Sequence, residues 1–170
     1  VGSIVFLLVF GILKSAYART QHMPLVISDR LRREMPMIDL IAGNLKLFVF
    51  ALPLLLAVMT GFLMAENWDV AMMWWNRVPF DKADPIFGMD YSFYLFTLPF
   101  LLMAKTILWM ILIATAFGTG AIYFFKRSAY AVSPLSSLSA EARQTFSLIA
   151  TSAFLMMAFG YYLDRFGLLT

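Results

Sequence analysis

The sequence predicts an all-α integral membrane bundle of four transmembrane helices, with a short interfacial helix on the outer side. Two observations predict it. The first is four apolar runs, at about residues 1–17, 45–64, 99–125 and 146–163. Each approaches or exceeds the roughly 20 residues that a helix needs to cross a hydrocarbon core, where only a helix or a closed barrel satisfies its own backbone hydrogen bonds. The second is composition: 62% of residues are hydrophobic and 14% charged, with a mean hydropathy of +0.81. A soluble domain has about 45–50% apolar residues.

The chain is read as a single transmembrane region, because its connections are too short to bury an independent core. It is also read as a piece of a longer polypeptide. Val1 opens inside an apolar run without an initiator methionine, and Thr170 stops just after a span. The absence of cysteine excludes disulfides, thiolate metal sites and thiol catalysis within this chain. The single histidine, His22, excludes a bis-histidine haem within it. The net charge of +3 comes from basic residues at membrane edges, which does not point to nucleic acid.

The first span leads into a basic connection carrying Arg19, Arg30, Arg32, Arg33 and Lys46. Ser28 is a candidate N-cap there, with Asp29 in the first turn and Pro36 ending a short helix. The arginines read as positive-inside anchoring, with attraction to anionic headgroups as the alternative. After the second span comes an acidic connection, with Glu66, Asp69, Asp81, Asp84 and Asp90 against only Arg77 and Lys82. The third connection is basic again, through Lys126, Arg127 and Arg143. Basic short loops stay cytoplasmic, so the Arg19–Lys46 and Lys126–Arg143 connections are predicted inside. Glu66–Asp90 is predicted outside. Trp68, Trp74, Trp75, Tyr91, Tyr94, Tyr130, Tyr161 and Tyr162 all fall near span ends, as in an aromatic belt.

Within the outer connection, Trp68–Asn76 (WDVAMMWWN) is too short to span and rich in Trp and Met, which predicts an interfacial helix containing Trp74 and Trp75. Turn chemistry follows at Asp84–Pro85 and Gly88. Asp81, Asp84 and Asp90 are read as caps or as surface charge in preference to a Ca²⁺ site, because their spacing is not that of an EF-hand loop.

In the third span, Lys105 is the one charge well inside an apolar run. Ionisable residues at that depth are functional candidates, but Lys105 lies about 9 Å from Pro99 along a helix, within reach of snorkelling. Snorkelling or a structural pair is therefore preferred to a pathway role. Farther along, Ala114 and Gly118, and Ala116 and Gly120, are small-xxx-small pairs that predict close helix packing. No cofactor is evident; a lipid or pigment tail in that small-residue groove is the ligand class left open. Gly160 is read the same way in the last span. Asp164–Arg165 closes that span as an expected surface ion pair. No GxSxG, HExxH or phosphate-binding glycine loop is present, and no catalytic residue or metal ligand is assigned.

Two stretches resemble a known family. They are Asn76-Arg77-Val78-Pro79-Phe80, continuing through Asp84-Pro85-Ile86-Phe87-Gly88-Met89-Asp90 and Ser92 to Leu101, and Gly160-Tyr161-Tyr162-Leu163-Asp164-Arg165-Phe166. Both are similar to uncharacterised protein family 0182, large bacterial multi-pass membrane proteins. The resemblance implies an N-terminal membrane portion, beginning in the second span, of a protein with about seven spans and a large extracytoplasmic region. It brings no assigned reaction and no catalytic residues. The preferred function is a non-enzymatic structural or accessory protein that packs, in the bilayer, against other membrane-protein subunits. The alternatives are a transport or channel module completed by helices outside this chain, and a membrane enzyme acting on lipid headgroups through the outer aspartates. Asp84, Pro85, Gly88, Asp90, Lys105, Ala114, Gly118, Gly120, Trp74 and Trp75 are the candidate contact sites.

Overall fold

The computed structural model describes residues 1–20, 43–127 and 140–169. The short helix expected from Ser28, the arginines at 30, 32 and 33, His22 and Tyr130 lie outside the described residues. Helix α1 covers Gly2–Arg19, α2 Leu45–Glu66 and α3 Trp68–Trp75. A π-helical turn, Phe93–Thr97, leads into α4, Leu98–Arg127. Helix α5 covers Ala140–Asp164, and a 3₁₀ turn at Phe166–Leu169 follows it. Among the described residues there is no strand beyond one isolated antiparallel bridge between Ala83 and Asp90. Four helices among the described residues are long and apolar enough to cross a membrane, and the all-α fold class follows. The expected interfacial segment is the eight-residue helix α3.

Helices α1, α2 and α4 pack on one another, α5 packs on α4, and α3 lies against the start of α4. The reason is visible in residue spacing. Val5, Val9, Leu13 and Ala16 recur at three to four residues, lining one face of α1. That face meets Leu45, Val49 and Leu56 of α2, and Ala114 and Ile122 of α4. The opposite faces are just as apolar: Phe62 is 68% exposed, Leu148 69% and Phe154 73%. Such side chains are stable outside the bundle when the surrounding solvent is hydrocarbon.

In lipid, helices gain no hydrophobic driving force by associating, so close approach and dispersion contacts hold them. Two places achieve it. A Cβ on Gly118 would stand 2.5 Å from Leu13 Cδ2 and 3.0 Å from Leu52 Cδ2, so leucines of α1 and α2 fill the notch that this glycine leaves. A Cβ on Gly2 would stand 2.6 Å from the Ala57 carbonyl oxygen and 3.7 Å from Gly61 Cα, which makes this a backbone-to-backbone crossing. Buried hydroxyls cost nothing here because they return to their own helix: Thr60 donates to the Leu56 carbonyl at 2.9 Å and Thr119 to the Thr115 carbonyl at 2.6 Å.

The π turn has a local cause. Pro99 lacks the N–H that would reach back to Leu95 in an α-helix. The Leu98 N–H instead bonds the Phe93 carbonyl, five residues back. Helical winding thus begins upstream of Pro99, and the wider turn carries Phe93 and Tyr94 toward Phe166 and Phe96 toward Phe80.

Candidate functional site

The most highly organised region lies at one end of the bundle, where the Asp81–Leu101 stretch meets the end of α5. Asp84-Pro85-Ile86-Phe87-Gly88 forms a single capped helical turn. The Asp84 carboxylate accepts from the Phe87 N–H at 2.8 Å, as an N-cap does. Pro85 occupies the next position, where its missing N–H is harmless. The Gly88 N–H closes the turn on the Asp84 carbonyl at 2.8 Å, and Gly88 sits at φ +65°, the left-handed C-terminal position that glycine favours. The Asp84 N–H bonds the Met89 carbonyl, and the Tyr94 hydroxyl donates to the Asp84 carboxylate at 3.3 Å. Asp84 is buried, and its Oδ2 takes both side-chain hydrogen bonds.

Asp90 ties the other side. Its Oδ1 accepts from the Ser92 N–H at 2.7 Å and from the Phe80 N–H at 3.2 Å, while the Tyr91 N–H bonds the Lys82 carbonyl. Hydrogen bonding, from the Ser92 side chain first and then from backbone N–H groups, holds the Asp90 carboxyl below its ordinary value. Asp81 takes a positive φ of 53° between these ties. The three aspartates do not converge, and among the described residues no group of three or more His, Asp or Glu side chains gathers.

Beneath the turn, Phe166 is fully buried in a second apolar cluster with Leu98 and Leu163. Four rings surround it: Phe93 at 5.1 Å between centroids, Phe87 at 5.2 Å, Tyr162 at 5.5 Å and Tyr94 at 6.2 Å, all in edge-to-face arrangement. Arg165 covers the cluster, its guanidinium 4.2 Å from the Tyr162 centroid, 4.5 Å from Phe166 and 5.7 Å from Phe87. Asp164 accepts a hydrogen bond from Lys105 of α4 at 3.1 Å. This corrects the expectation of an Asp164–Arg165 surface pair. The two charges have separate partners, because Arg165 gains ring faces and Asp164 meets Lys105 of α4. Gly160 lies beside the same lysine, its Cβ direction 3.8 Å from Lys105 Cδ.

Trp74 of α3 stacks on Phe100 of α4 at 4.2 Å and 8°, with the Arg77 guanidinium 5.0 Å from its ring on the same helix end. Trp75 is 78% exposed. Pro85 is exposed at the tip of the turn. Of the small residues, Ala114 and Gly118 face α1 and α2, whereas Gly120 has open space about its Cβ direction. The structure therefore gathers Asp84, Gly88 and Asp90 into the cap, with Lys105 beside it. Trp74 stands beside the start of α4, and Ala114 and Gly118 lie away in the three-helix core. Sequence reading missed the Gly2 crossing and Phe166. The spacing Ala57-xxx-Gly61 was a signal for the crossing; nothing local marked Phe166 as a core residue.

The two stretches that form the cap are the two that resembled a family. The profile of the uncharacterised protein family UPF0182 matches residues 1–170. The chain belongs to UPF0182. A UPF0182 protein of Corynebacterium jeikeium is 34% identical over 135 residues, covering 77% of this chain and 13% of that protein. One from Cupriavidus necator is 37% identical over 117 residues, 66% of this chain and 13% of that protein. One from Pelotomaculum thermopropionicum is 34% identical over 139 residues, 79% of this chain and 15% of that protein. The chain thus spans about one seventh or less of the UPF0182 relatives named here. No solved structure matches it.

Proposed function

We propose that this region is a non-enzymatic structural element of a multi-pass protein in the bacterial cytoplasmic membrane, packing against other membrane-protein subunits of a larger assembly. One observation carries the reading. The acidic residues of the two UPF0182 stretches, Asp84, Asp90 and Asp164, are each engaged by fixed groups of the chain itself. Each is engaged through one oxygen, Asp84 Oδ2 and Asp90 Oδ1 in turns of the cap and Asp164 Oδ1 in a pair between helices, and these are shape-holding roles. The rim of the cap adds support, since Trp75, Ile86 and Tyr161 present 66–78% of their surface outward. Under the charge asymmetry of the connections, the cap lies on the extracytoplasmic side.

The test is affinity purification of the tagged native-length protein from its own membranes in mild detergent, with mass spectrometry of what accompanies it. Stoichiometric partners are expected. Recovery alone would turn attention to the transport module. In that reading Lys105 is the intramembrane charge to test, and normal flux in Lys105→Met would remove it from any pathway.

A further inference from the structure

A groove of about 580 Å³ runs along the bundle on the side of α4 away from α2, between α1 and α5. It is separate from the small-residue notch at Gly118, which Leu13 and Leu52 fill. Its α5 wall runs from Thr145 to Met156, eleven positions apart, or about 16 Å at 1.5 Å per residue. One leaflet of a roughly 30 Å hydrocarbon core is about 15 Å deep. The groove is thus about as long as one leaflet is thick.

Its chemistry is equally directional. The walls are aliphatic apart from hydroxyls and one charge, Arg19, at the last residue of α1. Ser15 donates its proton to the Ile12 carbonyl at 2.7 Å and Thr115 donates to the Ile111 carbonyl at 2.7 Å. Those two hydroxyls therefore present little donor capacity to an occupant, and the α1 and α4 walls are otherwise aliphatic up to Arg19. Arg19 is exposed and lines the groove from the last residue of α1, the end that the charge asymmetry of the connections assigns to the cytoplasmic membrane surface. A guanidinium at that depth matches a phosphate bidentately, and the size falls within the range of small-ligand sites.

From this juxtaposition of a leaflet-deep apolar slot and a terminal arginine, we propose that the groove binds an anionic glycerophospholipid. One acyl chain lies between α1, α4 and α5, and the phosphate sits on Arg19. The inference does not depend on the accessory role above.

The native-length protein, purified in mild detergent and exchanged into mixed micelles of phosphatidylglycerol and phosphatidylcholine in equal parts, provides the test. Native mass spectrometry counts and types the retained lipid. Wild type is expected to retain phosphatidylglycerol in preference. One arginine near an anionic surface contributes about 1 kcal/mol, so Arg19→Gln should reduce that preference about fivefold, and Arg19→Lys should keep most of it. A photo-crosslinker placed at Ser152, on the groove wall, should capture phospholipid. An unchanged headgroup ratio in Arg19→Gln overturns the proposal. So does capture by the Ser152 probe of a peptide from the same chain or a second protein in place of lipid, since a helix would then fill the slot.

Discussion

Phe166→Ala tests the cap most directly, because Phe166 is the residue on which both UPF0182 stretches converge. The side chain is fully buried, and four aromatic rings meet it within 6.2 Å. Removing the ring forfeits about 2–3 kcal/mol of transfer energy, and each edge-to-face pair adds about 0.5 kcal/mol at the low end. The expected loss is about 4 kcal/mol, within the range of about 3–5 for Phe→Ala in a packed core. The cap lies at a bundle end, so the loss should appear as local opening before global unfolding. Hydrogen exchange of the native-length protein reads it at the Asp84 and Gly88 amides, which close the turn above Phe166. Even 3 kcal/mol corresponds to more than a hundredfold faster opening-limited exchange, at 1.4 kcal/mol per decade. Phe154→Ala serves as the control, since Phe154 is 73% exposed and should leave those amides unchanged. If Phe166→Ala and Phe154→Ala exchange alike, within about tenfold of wild type, the cap is not held by this cluster.

Other perturbations discriminate among the remaining contacts. Gly2→Ala should cost about 1–3 kcal/mol in detergent unfolding, because the new Cβ meets backbone at Ala57; Gly11→Ala, with open space, should be neutral or stabilising by up to about 1 kcal/mol. The Lys105–Asp164 pair should be asymmetric. Its carboxylate side is 61% exposed and its lysine 21%, so a double-mutant cycle should give a coupling of about 0–1 kcal/mol, while Asp164→Asn costs more than Lys105→Met because it leaves a cation unpaired in an apolar run. Gly88→Ala should destabilise the turn by about 1–2 kcal/mol through its left-handed backbone, measured by the same exchange experiment. Asp90 has a folded pKa below its unfolded value, so its contribution is present above about pH 4 and fades as pH falls through the folded pKa. The Tm difference between wild type and Asp90→Asn should therefore be largest near neutral pH and close in acid; a difference that grows in acid contradicts the assignment.

Much of this protein was determined by sequence alone, and for a physical reason. A bilayer forces helices of fixed length, so runs of apolar residues declare the spans without any knowledge of tertiary contacts. The Asp84-Pro85-Ile86-Phe87-Gly88 turn was legible for a similar reason, because its capping, proline and glycine requirements are all local. Trp68–Trp75 was legible as a short helix by its length and composition. Partner choice was not. In an all-apolar sequence every face of α1 or α4 resembles every other, and burial no longer marks the core. Only the packed structure decided that Gly2 crosses Ala57 and that Gly118 receives two leucines. It likewise decided that Lys105 reaches Asp164 and not Arg165's neighbourhood of rings, across 59 positions of chain. Phe166, a lone aromatic after the last span, became the centre of the cap only when Phe87, Phe93 and Tyr94 were brought around it. Local rules set where the chain winds and turns; which faces meet is a matter of close approach in three dimensions, because lipid offers all apolar faces nearly the same solvation.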